Sequence, residues 1–110
     1  MTLEDLSAFG ADVESGMRRC MDNESFYLGL VDTVRQENKY AELRAAVAAG
    51  DLDGAFDAPH SLKGVFGNLS ITPLYEPMYQ ITELLRAKED VDYSALLDQT
   101  DPKWEEFLAL

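Results

Sequence analysis

Several residue types are scarce in this chain of 110 residues. Cysteine occurs once, as Cys20, so no disulfide can form within the chain, and a reducing, cytoplasmic setting is expected. No run of about 18 apolar residues is present. The N-terminus also lacks a basic stretch followed by an apolar one, so the sequence predicts neither a membrane span nor an export signal.

Positive charge is scarce as well. The chain has 9 Lys and Arg against 21 Asp and Glu, which gives a formal net charge of -12. Proteins bind nucleic acids and anionic membranes through clustered cations, so neither is an expected partner. Hydrophobic residues make up 46%, which is typical of a folded chain, and the length predicts one domain over residues 1–110.

Strand-like alternation is missing, and helical periodicity runs from end to end. We therefore predict an all-α fold, an up-down antiparallel four-helix bundle with a short additional N-terminal helix, because short connections favour antiparallel neighbours. Nothing in the sequence requires more than a monomer. The expected segments are an opening turn at 2–9, a first helix at 11–20, and main helices at 23–49, at 51–69, from 72 onward and at 93–110.

Capping residues and prolines set the expected helix ends. Thr72 and Pro73 are predicted as N-cap and first residue of one helix. Pro77 predicts a start at Glu76 or a bend, and Pro102 predicts a kink or a restart in the last helix. The other predicted N-caps are Thr2, Asn23 and Asp51. The inward residues expected on the long second helix are Tyr27, Leu30, Val34, Ala41 and Ala45, and those on the third are Leu52, Phe56, Leu62, Phe66 and Leu69.

A reactive stripe is predicted on the third helix. His60, Lys63, Gly64 and Gly67 follow the i, i+3, i+4, i+7 spacing of one helix face, opposite the apolar residues. A glycine within a helix costs about 1 kcal/mol relative to alanine, so two of them on this stripe suggest close approach by another body. A helical side chain leans toward the N-terminus, and the residue at i+4 from His60 is Gly64, so the imidazole should stand uncovered.

The residue types on this stripe suit phosphoryl transfer. A neutral imidazole is a competent nucleophile toward an activated phosphoryl group, and imidazole is largely neutral near pH 7. Lys63, one turn along, supplies a cation for the phosphoryl oxygens. The carboxylate cluster and Gly-rich loop of a kinase are missing from the sequence. We therefore expect a phosphoryl carrier with no kinase activity, no metal site and no cofactor, whose partner carries the metal.

The motif resembles that of a known family. His60-Ser61-Leu62-Lys63-Gly64, continued by residues 65–69, is similar to the signature of histidine-containing phosphotransfer (Hpt) domains. The resemblance extends to a preceding helix that ends at 49–51 and a following one that opens at 73–76. It implies a helical bundle whose histidine exchanges phosphoryl groups with the aspartate of response-regulator receiver domains. A receiver of a hybrid histidine kinase is one candidate partner.

Further roles follow from the resemblance. It implies that Ser61, Gly64 and Gly67 bind the partner, and that a polar side chain on the following helix, for which Gln80 and Thr82 are the candidates, orients the imidazole. Pro59 departs from the family, which usually has alanine there, so the helix could be irregular or restart near residue 57.

A rival interpretation remains open. The same glycine-exposed face could belong to a helical adaptor that binds a signalling partner and is never phosphorylated. Ser61 points about 100° away from His60 around the helix, so it is a poor partner for nucleophilic catalysis. The acidic cluster at 89–92 is more simply a solvated turn than a metal site.

Overall fold

The computed structural model describes residues 1–110, and its regular structure is entirely helical. None of its helices combines the length and the apolar character that crossing a bilayer requires. The all-α prediction is therefore confirmed. The eight helical segments are α1 (Leu3–Phe9), α2 (Val13–Arg19), α3 (Glu24–Gln36), α4 (Lys39–Ala48), α5 (Leu52–Ala55), α6 (Asp57–Leu69), α7 (Thr72–Arg86) and α8 (Tyr93–Leu108).

The bundle has four layers, which are α6, α7, α8 and the consecutive pair α3–α4. Helix α6 packs most extensively on α7, and contacts also join α7 to α8, α8 to α4, and α4 to α6. Arg44 reaches Asp98 at 2.9 Å while Arg35 reaches the Leu108 carbonyl at 2.7 Å, so α3–α4 and α8 run in opposite directions. One continuous cluster of buried side chains fills the space between the layers.

The N-terminal segments begin where the sequence predicts. Thr2 and Asp5 form a reciprocal capping box that opens α1, and Asn23 caps α3 through a 3.0 Å bond from Phe26 N–H. Helices α1 and α2 pack beside the bundle, and the buried Tyr27 hydroxyl donates to the Leu69 carbonyl at 2.8 Å. This bond joins α3 directly to the end of α6.

The long second helix predicted at 23–49 is wrong as one element. The chain is extended at Glu37, with φ −77° and ψ 152°, and α4 starts anew at Lys39. The break changes the helical phase. Tyr40 therefore turns inward and stacks on Trp104, with ring centroids 4.8 Å apart, whereas Ala41 and Ala45 are exposed. Burying a tyrosine and Leu43 removes far more apolar surface from water than burying two alanines would.

The third predicted helix is also interrupted, at the place that Pro59 indicated. Asp51 caps the short α5 through Gly54 N–H, and α6 restarts at Asp57. Pro59 then lies in the first turn of α6, where a backbone N–H would have no partner within the helix. Leu52, predicted to point inward, is 39% exposed because α5 is a separate turn at the rim of the bundle.

The last two helices tolerate their prolines. Helix α7 begins one residue earlier than predicted, with Ile71 as its N-cap, and runs through Pro77 without a restart at Glu76. Helix α8 likewise continues through Pro102, so of the predicted alternatives, a kink or a restart, the restart is wrong. The Asp101 carboxylate does not cap a new helix because it accepts hydrogen bonds from Tyr40 and Arg44 of α4.

Candidate functional site

Helix α6 separates a buried face from an exposed one. Leu62, Phe66 and Leu69 are in the core, whereas His60 and Gly64 are exposed and Lys63 is half-buried. The restart at Asp57 places His60 at the fourth residue of α6, where its N–H donates to the Phe56 carbonyl at 3.2 Å. The imidazole therefore stands on a regular turn of helix at the molecular surface.

The imidazole lies against an aromatic ring. Its centroid is 5.2 Å from that of Phe56, with 26° between the ring planes. The Arg86 guanidinium carbon lies over the same Phe56 ring, at 5.2 Å from its centroid, and Arg86 also pairs with Glu83 at 3.5 Å. A residue of α7 thus reaches the segment that carries the histidine.

Lys63 lies on the side of His60 toward the C-terminus of α6. Its ammonium is 5.7 Å from the centroid of the Tyr79 ring, a distance that allows a cation–π interaction. Tyr79 is 47% exposed, so neither the ring nor the ammonium is removed from water. A cation held loosely one helical turn from His60 can turn toward an incoming phosphoryl group.

The two glycines of the stripe differ in their surroundings. A Cβ on Gly64 would meet no atom within 4 Å, so this position is open space beside the imidazole. A Cβ on Gly67 would lie 3.2 Å from Cε2 of Tyr75, which is tighter than an ordinary contact. The absent side chain at Gly67 therefore makes room for an aromatic residue of α7, whereas the one at Gly64 leaves the surface free.

Two open clefts flank this part of α6. One, of about 460 Å³, is lined by Lys63, Gly64 and Gly67 together with Arg19 of α2 and Tyr75 of α7. The other, of about 350 Å³, is lined by residues around Phe56 and includes Arg86, Lys88 and Asp53. Four of the chain's 9 Lys and Arg residues therefore lie along these clefts, on a molecule with a net charge of -12. The clefts are lined by residues that precede and follow His60 in the chain, and His60 itself lines neither of them.

Neither of the two expected orienting side chains is hydrogen-bonded to the imidazole. Thr82 is fully buried and its hydroxyl donates to the Met78 carbonyl of its own helix at 2.6 Å. Gln80 is exposed and faces the groove between α7 and α8. Neither side chain forms a hydrogen bond with His60, and the contact that the ring makes is with Phe56. Ser61 is half-buried on α6.

Phe56 and Arg86 were missed as site residues. Phe56 precedes His60 by four residues, a spacing that places two helical side chains side by side, so the sequence held a usable signal. Arg86 could not be found in this way because its place depends on how α7 is registered against α6. No group of three or more His, Cys, Asp or Glu side chains is arranged to hold a metal ion.

Comparison with known proteins agrees with this architecture. A model of the Hpt domain family matches residues 31–109, which include α6 and the stripe with His60, and the match covers more than half of the chain. No curated protein and no solved structure gives a match. The chain therefore belongs to the Hpt domain family, whose members act with receiver domains in the phosphotransfer of two-component signalling and are phosphocarriers rather than kinases.

Proposed function

We propose that this chain is a phosphorelay carrier that accepts a phosphoryl group on His60 from the aspartyl phosphate of one receiver domain and passes it to another. The observation that carries the proposal is an exposed imidazole with open space at Gly64 and an ammonium group one turn away at Lys63. His60 is the one histidine of the chain, so a phosphohistidine can form at no other position.

The proposed reaction exchanges one bond for another. The lone pair of an imidazole nitrogen forms an N–P bond while the P–O bond of the acyl phosphate breaks, and the receiver's aspartate leaves as a carboxylate. Lys63 stabilises the charge on the phosphoryl oxygens during the transfer. The receiver supplies the metal ion, and the reverse reaction passes the group onward.

Close approach of the receiver is supported by the surface around His60. Catalysis by positioning requires the reacting atoms to come within about 3 to 3.5 Å of each other. A side chain at position 64 would stand between the two proteins, and glycine removes that obstacle. The flanking cations Arg19, Lys63 and Arg86 suit the acidic pocket in which an aspartyl phosphate is held.

We propose that the carrier works as a monomer in the cytoplasm, and a hybrid histidine kinase is one source of the donor receiver.

A labelling experiment tests the assignment of His60. A purified receiver is charged with a radioactive small phosphodonor and Mg²⁺, then mixed with the wild-type chain or with His60→Gln. Label should pass to the wild type and not to the variant, and the bond should be labile in acid and stable in base, as expected of phosphohistidine. Acid-stable label, or label on His60→Gln, would place the phosphate on another residue such as Ser61.

The same experiment separates a carrier from an adaptor. A wild-type chain that binds a receiver but takes no label across the receivers of its organism would be an adaptor. Far-UV circular dichroism of His60→Gln provides the folding control, since an exposed side chain can be exchanged with little effect on stability.

A further inference from the structure

The ring of His60 makes its one aromatic contact with Phe56. The 5.2 Å between centroids and the 26° between planes fall in the range of offset-stacked pairs. The same two residues are joined through the backbone, because His60 N–H donates to the Phe56 carbonyl at 3.2 Å. Phe56 is half-buried whereas His60 is exposed. The Phe56 ring is therefore the more restrained of the two, and the His60 ring stacks on it from the solvent side.

Phe56 is itself held from a second helix. The Arg86 guanidinium carbon is 5.2 Å from the Phe56 centroid, and a guanidinium over an aromatic face is attracted to it. Glu83 holds Arg86 from one turn earlier on α7, at 3.5 Å. The contacts therefore run from α7 through Arg86 and Phe56 to the imidazole.

An exposed side chain on a helix ordinarily samples several rotamers. A hydrogen bond at one ring nitrogen could select one of them, but neither Thr82 nor Gln80 makes such a bond here. Stacking restrains the ring through its face and leaves both nitrogens available. Of these two ways to orient the imidazole, stacking is the one that the structure shows.

We propose that Phe56 is the positioning residue for His60: stacking on Phe56 holds the imidazole so that a ring nitrogen is presented beside Lys63 and the open surface at Gly64. This inference rests on the proposed function of His60 as phosphoacceptor. Phe56 touches no reacting atom, and it acts by raising the population of the rotamer from which transfer occurs.

NMR spectroscopy of the wild-type chain gives the first test. The chain has one histidine, so its imidazole gives a single set of ring signals. We expect nuclear Overhauser effects between the ring protons of Phe56 and His60, and a displacement of the His60 signals by the ring current of Phe56. This measurement needs no variant, and absence of the ring-to-ring contact would overturn the proposal.

Variants then connect ring geometry to transfer. Phe56→Met keeps an apolar side chain of similar volume and good helix propensity, and removes the ring. In this variant the His60 signals should lose the ring-current displacement. Phosphoryl transfer from a receiver should slow roughly 3- to 10-fold, because one aromatic pair raises the population of the stacked His60 rotamer by about that factor. Phe56→Tyr should restore both. The matched control is Phe26→Met, which changes an exposed phenylalanine on α3 and should alter neither readout.

Transfer by Phe56→Met at the wild-type rate, or equal slowing in Phe56→Met and Phe56→Tyr, would contradict a positioning role for the ring. The two proposals fail in different ways. A wild-type chain that takes no label would overturn the function proposed for His60, whereas a labelled chain without the ring contact would overturn the role of Phe56 alone.

Discussion

Gly64 lies within helix α6, where glycine is less favourable than alanine, and no internal contact requires it. Its Cβ position is empty and its backbone is helical, so no tight turn or close internal contact explains the glycine. We propose that approach by another protein explains it, because a side chain there would stand beside the imidazole.

Two substitutions at Gly64 should therefore separate stability from transfer. Gly64→Ala should raise the free energy of unfolding by about 0.5 to 1 kcal/mol, because alanine restricts the unfolded chain and meets open space in the fold. Gly64→Gln should keep the helical signal and slow transfer, since its side chain obstructs the receiver. Urea denaturation and a transfer time course measure the two effects. If Gly64→Gln transferred phosphoryl groups at the wild-type rate, the proposed close approach of the receiver at Gly64 would be contradicted.

Lys63 is predicted to act on the phosphoryl group and not on the fold. Lys63→Gln should slow transfer roughly tenfold, because a cation beside the transferred group is lost at a half-exposed site where water screens part of the effect. Lys39→Gln removes the same charge from the start of α4 and serves as the control. Equal transfer rates for the two variants, measured with one phosphorylated receiver, would remove Lys63 from the mechanism.

Single-helix geometry explains which site residues the sequence could reveal. His60, Lys63 and Gly64 lie on one helix, so their common exposed face follows from the helical repeat alone. Arg86 reaches the site from α7, and sequence spacing carries no information on that register. The candidates Gln80 and Thr82 come from the resemblance to the family, and neither forms a hydrogen bond with the imidazole.

At the scale of the helices, starts were more predictable than interruptions. Asn23 and Asp51 cap the helices they were expected to cap because an N-cap is a local hydrogen bond. The break at Glu37 lacks both Gly and Pro. It follows from tertiary packing, which draws Tyr40 onto Trp104. Pro102 predicts a kink or a restart, but α8 continues without a restart, and Asp101 accepts hydrogen bonds from Tyr40 and Arg44 of α4.

Two buried tyrosines tie helices together and predict a loss of stability in alkali. Burial is the main cause that raises the pKa of Tyr27 to about 12, with smaller effects of Cys20 and Asp12. Burial, followed by the hydrogen bond to Asp101, also raises the pKa of Tyr40 well above its usual range. A tyrosine in the unfolded chain loses its proton near pH 10. Between about pH 10 and 12 the unfolded chain therefore binds fewer protons than the folded one, and stability falls as the pH rises.

Tyr27→Phe tests this prediction. At pH 8 it should lower the free energy of unfolding by about 1 kcal/mol, because the Leu69 carbonyl loses its buried donor. Between pH 10 and 12 the variant should lose less stability than the wild type does. Urea denaturation at both ends of this range measures the difference, with the exposed Tyr79→Phe as control. Identical alkaline losses in wild type and Tyr27→Phe would contradict the assignment.

At the scale of the whole molecule, the distribution of charge over the surface affects how a partner approaches. The net charge of -12 is spread over a bundle that buries one continuous core, while four cations lie along the two clefts that flank α6. We propose that a receiver with an aspartyl phosphate approaches this acidic protein along these cations. Salt should weaken this encounter, because charges separated by more than about 10 Å are screened at 0.1 M ionic strength.

Direct detection of the phosphorylated nitrogen tests the central claim. The chain is labelled with ¹⁵N, mixed with a phosphorylated receiver, and its imidazole nitrogens are observed by NMR for coupling to ³¹P. Since His60 is the one histidine, any such coupling belongs to it. We predict that one ring nitrogen of His60 couples to phosphorus while the receiver loses its phosphate. An imidazole without phosphorus coupling, in a chain that has taken up the phosphoryl group elsewhere or not at all, would contradict the account.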